Sequence, residues 1–205
     1  LYALRADEPH RVPSAELYLV LRAGNVLDVD EHTKLVRDYI EAARAEDRPE
    51  RDNIRVIVTG VFCEQPSLGL IRALEQSGCY IVDDDWVLVN RYIDGDIAVG
   101  DDPIGAIVEA YLERGVATSS RYIGDDEKGR HLVERVRAMR ADGVIFASPS
   151  FCDPALLERP MLEAALDREG IPHSAFKYAE NSGQFHAIKE QTGTFADSIK
   201  LWGVA

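Results

Sequence analysis

Apolar positions recur along this chain with two different periods, and the change between them divides it. From residue 14 to 47 the spacing is helical: Leu35, Val36, Tyr39, Ile40 and Ala43 fall at steps of three and four among charged neighbours. The pattern stops in 44-RAEDRPERDN-53, a charged stretch with a proline that reads as a linker. Beyond it, short β-branched runs alternate with helical stretches. Ile54–Thr59 (IRVIVT) is a strand ending in Gly60, residues 68–74 are helical, and Tyr80-Ile81-Val82 behind Gly78 is a second strand. Asp102-Pro103 offers an N-cap and a first-turn proline to a helix carrying Ile104, Ile107, Val108, Tyr111 and Leu112, closed by Gly115. Leu132, Val133, Val136 and Met139 predict a helix ahead of a strand over 144–147. Asp153-Pro154 opens the next helix, which Pro160 is expected to restart and Gly170 to close before a strand over 174–176. Phe185, Ile188, Thr192, Phe195, Ile199 and Trp202 form the stripe of a last helix, expected to pack on a core.

Alternation of this kind predicts a doubly wound α/β fold, with a mostly parallel sheet and helices on both faces. Residues 1–50 are expected to be a helical segment, the tail of a preceding domain or a linker, and 51–205 a Rossmann-like α/β domain. The chain starts at Leu1 without methionine, so it is expected to be the C-terminal portion of something longer.

Composition changes this picture only by exclusion. With 46% hydrophobic residues in 205, the chain can bury a substantial core. Acidic residues outnumber basic ones by 36 to 23, a formal net charge of −13, and no basic run occurs, so nucleic acid is not the expected partner. No stretch approaches the ~20 consecutive apolar residues of a membrane span, and LYALRADEPHRVP lacks a signal peptide's apolar centre. A cytoplasmic protein without a membrane partner is expected.

Candidate chemistry centres on cysteine. Cys63, Cys79 and Cys152 are odd in number and widely spaced, which argues against a disulfide framework or a CxxC site. Two segments echo one another, 57-IVTGVFCEQPSLGLIRALEQSGCYIVD and 145-IFASPSFCDPALLERPMLEAALDREGIPHS. Each runs strand, small-residue loop, Phe-Cys-acid, proline, helix, glycine and strand, with the cysteines in equivalent places. Both thiols are then expected at carboxyl ends of parallel strands, the edge where open α/β sheets bind ligands. A cysteine just ahead of a helix meets unpaired N–H groups that favour the thiolate, the form that binds metal or attacks electrophiles. Against this, many free cysteines are small buried hydrophobes, the role expected for Cys79. Asp83-Asp84-Asp85 could hold a hard cation or ligand hydroxyls, or could be a solvated loop. In 176-FKYAENSGQF-185, Lys177 and the helix entrance at Asn181-Ser182-Gly183 could form an anion site, though an ordinary strand-to-helix turn looks the same and is preferred. The five histidines show no metal spacing, and neither GxGxxG nor GxxxxGK[ST] occurs.

The segments GVIFASPSFCDPALLERPMLEAALDREGIPHSAFKYAENSGQFHAIKEQTGTFADSIKLWG and GVFCEQPSLGLIRALEQSGCYIVDDD resemble the benzoyl-CoA reductase and 2-hydroxyacyl-CoA dehydratase family, over about residues 50–205. ADGVIF followed by FCDP carries most of the likeness, which is greatest to a cluster-bearing subunit of the ATP-dependent benzoyl-CoA reductase. The resemblance implies a [4Fe-4S] cluster held by three cysteines in each of two related subunits. Cys152 matches the family's C-terminal cluster cysteine, whereas Cys63 either lines the site or is a further ligand. The remaining ligands are expected from an N-terminal region outside this chain. Implied partners are a second related subunit in a heterodimer, ATP-hydrolysing activator subunits that carry ATP and Mg, a ferredoxin donor and an acyl-CoA substrate. The implied reaction is reduction of benzoyl-CoA, or a close aromatic acyl-CoA, to a cyclic diene. Its rivals are dehydration of a 2-hydroxyacyl-CoA through a ketyl radical and a cluster-free α/β binding module.

Overall fold

The computed structural model describes residues 1–60, 66–86, 93–117, 128–179 and 185–203. Three helices lead: α1 (Tyr2–Asp7), α2 (Ser14–Arg22) and α3 (Val29–Ala45). Then come β1 (Ile54–Thr59), α4 (Leu68–Glu75), β2 (Cys79–Asp84), α5 (Pro103–Arg114), α6 (Arg130–Ala138), β3 (Gly143–Pro149), α7 (Asp153–Arg168), β4 (His173–Tyr178) and α8 (Phe185–Trp202). All four strands are parallel, in the order β2-β1-β3-β4. The chain therefore moves outward from β1 to β2, returns past β1 to β3 and continues to β4. The strand order reverses between β1 and β3.

Alternation along the strands sorts the core into two layers. Val56 and Val58 of β1 and Ile145 and Ala147 of β3 face α4 and α8, meeting Leu70, Ile71, Leu74, Ile188 and Phe195. Ile57, Val144 and Phe146 face the other way, onto Leu132, Val133 and Val136 of α6 and Leu162 and Leu166 of α7. All of β3 is buried, as expected of an inner strand covered on both faces. The doubly wound expectation therefore holds, with helices on both sides of a wholly parallel sheet.

One expectation needs correcting. Pro160 does not restart α7, which runs unbroken from Asp153 to Arg168. Burial of Glu158, Leu162 and Leu166 on either side holds the turn that the proline's missing N–H would loosen. Helix α5 forms where it was read, with its apolar face turned outward. Ile104, Ile107, Val108, Tyr111 and Leu112 are exposed and only Ala110 is buried. Asp102 does cap α5 as read, its Oδ1 accepting from Gly105 N–H at 2.9 Å.

Candidate functional site

The reversal between β1 and β3 makes their carboxyl ends the topological switch point of the sheet, the edge where open α/β folds place their ligands. Gly60 closes β1 there with φ +105°, a left-handed conformation that glycine adopts without strain. A Cβ on it would stand 2.8 Å from Ser148 Oγ and 3.3 Å from the Ala147 carbonyl oxygen, so only glycine lets the strand ends close up. The next group along is Asp85, just beyond β2. Its Oδ2 accepts from Thr59 Oγ1 at 2.9 Å and from Gly60 N–H at 2.8 Å, joining the ends of β2 and β1.

On the β3 side of this switch point, 149-PSFC-152 turns from β3 into α7. Ser150 N–H and Oγ both donate to the Tyr178 carbonyl, at 2.8 and 2.9 Å, and Cys152 N–H donates to the Pro149 carbonyl at 3.1 Å. That tight turn decides which side chain faces out. Phe151 is 91% exposed, whereas Cys152 is 1% exposed. Cys152 is itself the N-cap of α7, with Asp153 and Pro154 in the first turn. Its sulfur makes no capping hydrogen bond and stands at the positive end of the helix.

Cys63 lies outside the described residues. The echo between its segment and that of Cys152 is inexact, because α4 starts at Leu68 and is capped by Ser67, whose side chain accepts from Leu70 N–H at 3.3 Å. Cys79 opens β2 at the opposite, amino edge, fully buried, and burial pushes its thiol up to about 12. It is the packing cysteine that was expected. In 176-FKYAENSGQF-185, residues 180–184 lie outside the described residues, as does the anion site read there.

The aspartate run is not a solvated loop. Asp83 and Asp84 are buried and engaged with guanidinium groups from two distant helices. Arg5 of α1, itself wholly buried, is bonded to Asp84 and stands 3.6 Å from Asp83. Arg135 of α6 donates through Nε to Asp83 at 2.7 Å. A cavity of about 820 Å³ adjoins this cluster, lined by Asp85, His131, Glu134 and Arg135 among others. Burial raises the pKa of Asp85, against the pull of the Gly60 and Thr59 donors and of Arg135. Burial, helped by Arg135, lowers that of His131. Sequence reasoning missed Arg5, Arg135 and His131. Each is a lone residue in helical text, and only its distant partners mark it.

A cubane cluster held by protein needs several thiolates around one point. Among the described residues, Cys152 alone brings a thiol to the carboxyl edge, and no group of three or more His, Cys, Asp or Glu side chains could hold a metal ion. The position of Cys152 suits one thiolate ligand; the described residues do not complete a set. Among them, no helix is long and apolar enough to cross a membrane.

Comparison with known proteins bears on this edge. The family model described as 2-hydroxyglutaryl-CoA dehydratase, D-component, matches residues 1–199. The chain is 52% identical over 203 residues to a benzoyl-CoA reductase subunit of Thauera aromatica, covering 98% of this chain and 53% of that protein. It is 29% identical over 196 residues to the (R)-phenyllactyl-CoA dehydratase beta subunit of Clostridium sporogenes, covering 96% and 51%. It is 24% identical over 199 residues to the beta subunit of (R)-2-hydroxyglutaryl-CoA dehydratase from Acidaminococcus fermentans, covering 96% and 52%. The chain spans about half the length of the curated relatives it matches.

Proposed function

Because this chain belongs to the 2-hydroxyglutaryl-CoA dehydratase D-component family, we propose that it forms part of a subunit of an ATP-dependent aromatic acyl-CoA reductase, where Cys152 supplies one thiolate ligand to a [4Fe-4S] cluster. The observation that carries the reductase over the dehydratase is the identity of 52% to a benzoyl-CoA reductase subunit, against 29% and 24% to the two dehydratase subunits. The substrate class is benzoyl-CoA or a close aromatic acyl-CoA, and the product a cyclic diene. The partners are a related cluster-bearing subunit, an ATP-hydrolysing activator and a ferredoxin. The other thiolates come from the rest of a full-length subunit, with Cys63 a candidate ligand or a wall of the site.

When bound, such a cluster supplies low-potential electrons, and three protein thiolates leave one iron open to a substrate oxygen. This chain's own residues hold and shape the edge. Ser150, tied twice to the Tyr178 carbonyl, fixes the turn that aims Cys152. Gly60 lets the ends of β1 and β3 pack against each other at this edge. Exposed Phe151 gives the edge an apolar rim that can exclude water from a bound ring.

The test is iron and acid-labile sulfide in the full-length subunit pair, co-expressed and purified anaerobically, wild type against Cys152→Ala. Loss of about one cluster per pair, with the circular dichroism spectrum unchanged, is expected. Unchanged iron and sulfide would remove Cys152 from the ligand set. Dehydration of a 2-hydroxyacyl-CoA on the same scaffold is the second reading, favoured by the dehydratase family match. Products separate the two, since 2-enoyl-CoA formed without ring reduction would overturn the reductase.

A further inference from the structure

Helix α7 is apolar on two opposite sides. One side is buried, through Ala155, Leu162, Ala165 and Leu166. The other carries Pro154, Leu157, Met161 and Ala164, all exposed, with Leu157 at 75% and Met161 at 47%. Their steps of three, four and three are the spacing at which one helix offers a seam to a second. From Pro154 to Ala164 the seam is about 15 Å long. Apolar residues exposed singly need no explanation, but a helix apolar all round is one that is covered all round, and a contiguous apolar patch marks a contact.

The charges beside the seam are already balanced within the chain. Arg159 and Glu163 pair at 3.2 Å along the helix, and Glu158, turned inward, accepts from Lys128 at 2.7 Å. Asp153 sits in the first turn, where the helix dipole favours a carboxylate. A partner that covers the seam strands none of these charges, and the paired groups at its margin make the polar rim that packed interfaces show.

What covers the seam follows from where it begins. Cys152 caps α7, and Phe151 stands beside it, exposed. On the cluster reading above, to which this inference is tied, the other thiolates must reach Cys152 from chain outside these 205 residues, and the match spans only 53% of the Thauera aromatica subunit. Chain that delivers a thiolate to the N-cap of α7 arrives at the end of the helix from which Pro154 and Leu157 lead away. A ligand side chain is held in place only when the element carrying it is itself packed. The seam is the packing surface available there.

We propose that the outer face of α7 seats an amphipathic helix from the remainder of the full-length subunit, the part that carries the other cluster thiolates. Leu157 and Met161 form the centre of the contact, Pro154 and Ala164 its two ends, and Phe151 closes it at the carboxyl edge.

The experiment uses the full-length subunit, co-expressed anaerobically with its related subunit. With photoreactive benzoylphenylalanine in place of Leu157, irradiation is expected to join α7 to a helix of the same subunit outside the present 205 residues, read by peptide mass spectrometry. A cross-link to the related subunit or to the activator, or no cross-link, overturns the proposal. Leu157→Glu combined with Met161→Glu puts two charges on side chains that are exposed in this chain, so α7 is expected to keep its own fold while the seam is lost. Loss of about one cluster per pair is expected, as for Cys152→Ala. Trypsin is expected to cut between the two parts of the subunit roughly 10-fold faster. Leu157→Met keeps the seam apolar and is expected to keep the iron. Wild-type iron or wild-type cleavage in the double variant overturns the proposal. Failure of the cluster reading is seen separately, as unchanged iron in Cys152→Ala, while the cross-link still reports what lies on α7.

Discussion

A methyl group at position 60 would have nowhere to go. The left-handed backbone and the 2.8 Å approach of Ser148 Oγ act together, so Gly60→Ala is expected to cost about 2–3 kcal/mol, measured as a lower urea midpoint at unchanged m-value. The sequence marked Gly60 only as the end of a strand; what crowds it comes from β3, far along the chain. Cys79 gives the opposite lesson. A cysteine inside a strand pattern reads as packing, and the fully buried thiol with its pKa pushed up to about 12 agrees. Folded protein at pH 8 is therefore expected to leave Cys79 unmodified by iodoacetamide, with labelling only after denaturation, checked by peptide mass spectrometry. At Cys152 the local signals placed the helix start within one residue. They did not show that the turn buries the thiol and puts Phe151 outside, because that depends on Ser150 meeting the Tyr178 carbonyl.

At the scale of elements, the strands and long helices follow from period and capping, and β1 matches its expected bounds. Helix α1 was not singled out within the helical segment expected over residues 1–50, since six residues carry too little periodicity to stand out. It is fastened by Arg5, wholly buried against Asp83 and Asp84. Removing one partner of a buried ion cluster leaves charge stranded, so Arg5→Ala is expected to destabilise the protein by about 3–5 kcal/mol. Urea unfolding checks the size, and faster hydrogen exchange in α1 would show that the helix has come off β2. Helix α5 was read correctly as a helix, yet its apolar stripe is exposed. Periodicity says that one face of a helix is apolar; it does not say against what that face packs.

For the molecule as a whole, alternation of strand and helix was enough to determine a parallel sheet covered on both faces, because period, caps and glycine stops act within a few residues. The same local logic placed Cys152 just ahead of a helix. Only the tertiary structure decided the order β2-β1-β3-β4, and with it the switch point between β1 and β3. It also decided that an acidic chain would enclose part of its charge, with Arg5 meeting Asp84 across 79 positions and Arg135 meeting Asp83 across 52. Which strand lies beside which, and which carboxylate finds a guanidinium, are settled by contacts between residues far apart in sequence. Such contacts leave no period in the chain, so the edge where Asp85, Gly60 and Cys152 come together exists only once the sheet has formed.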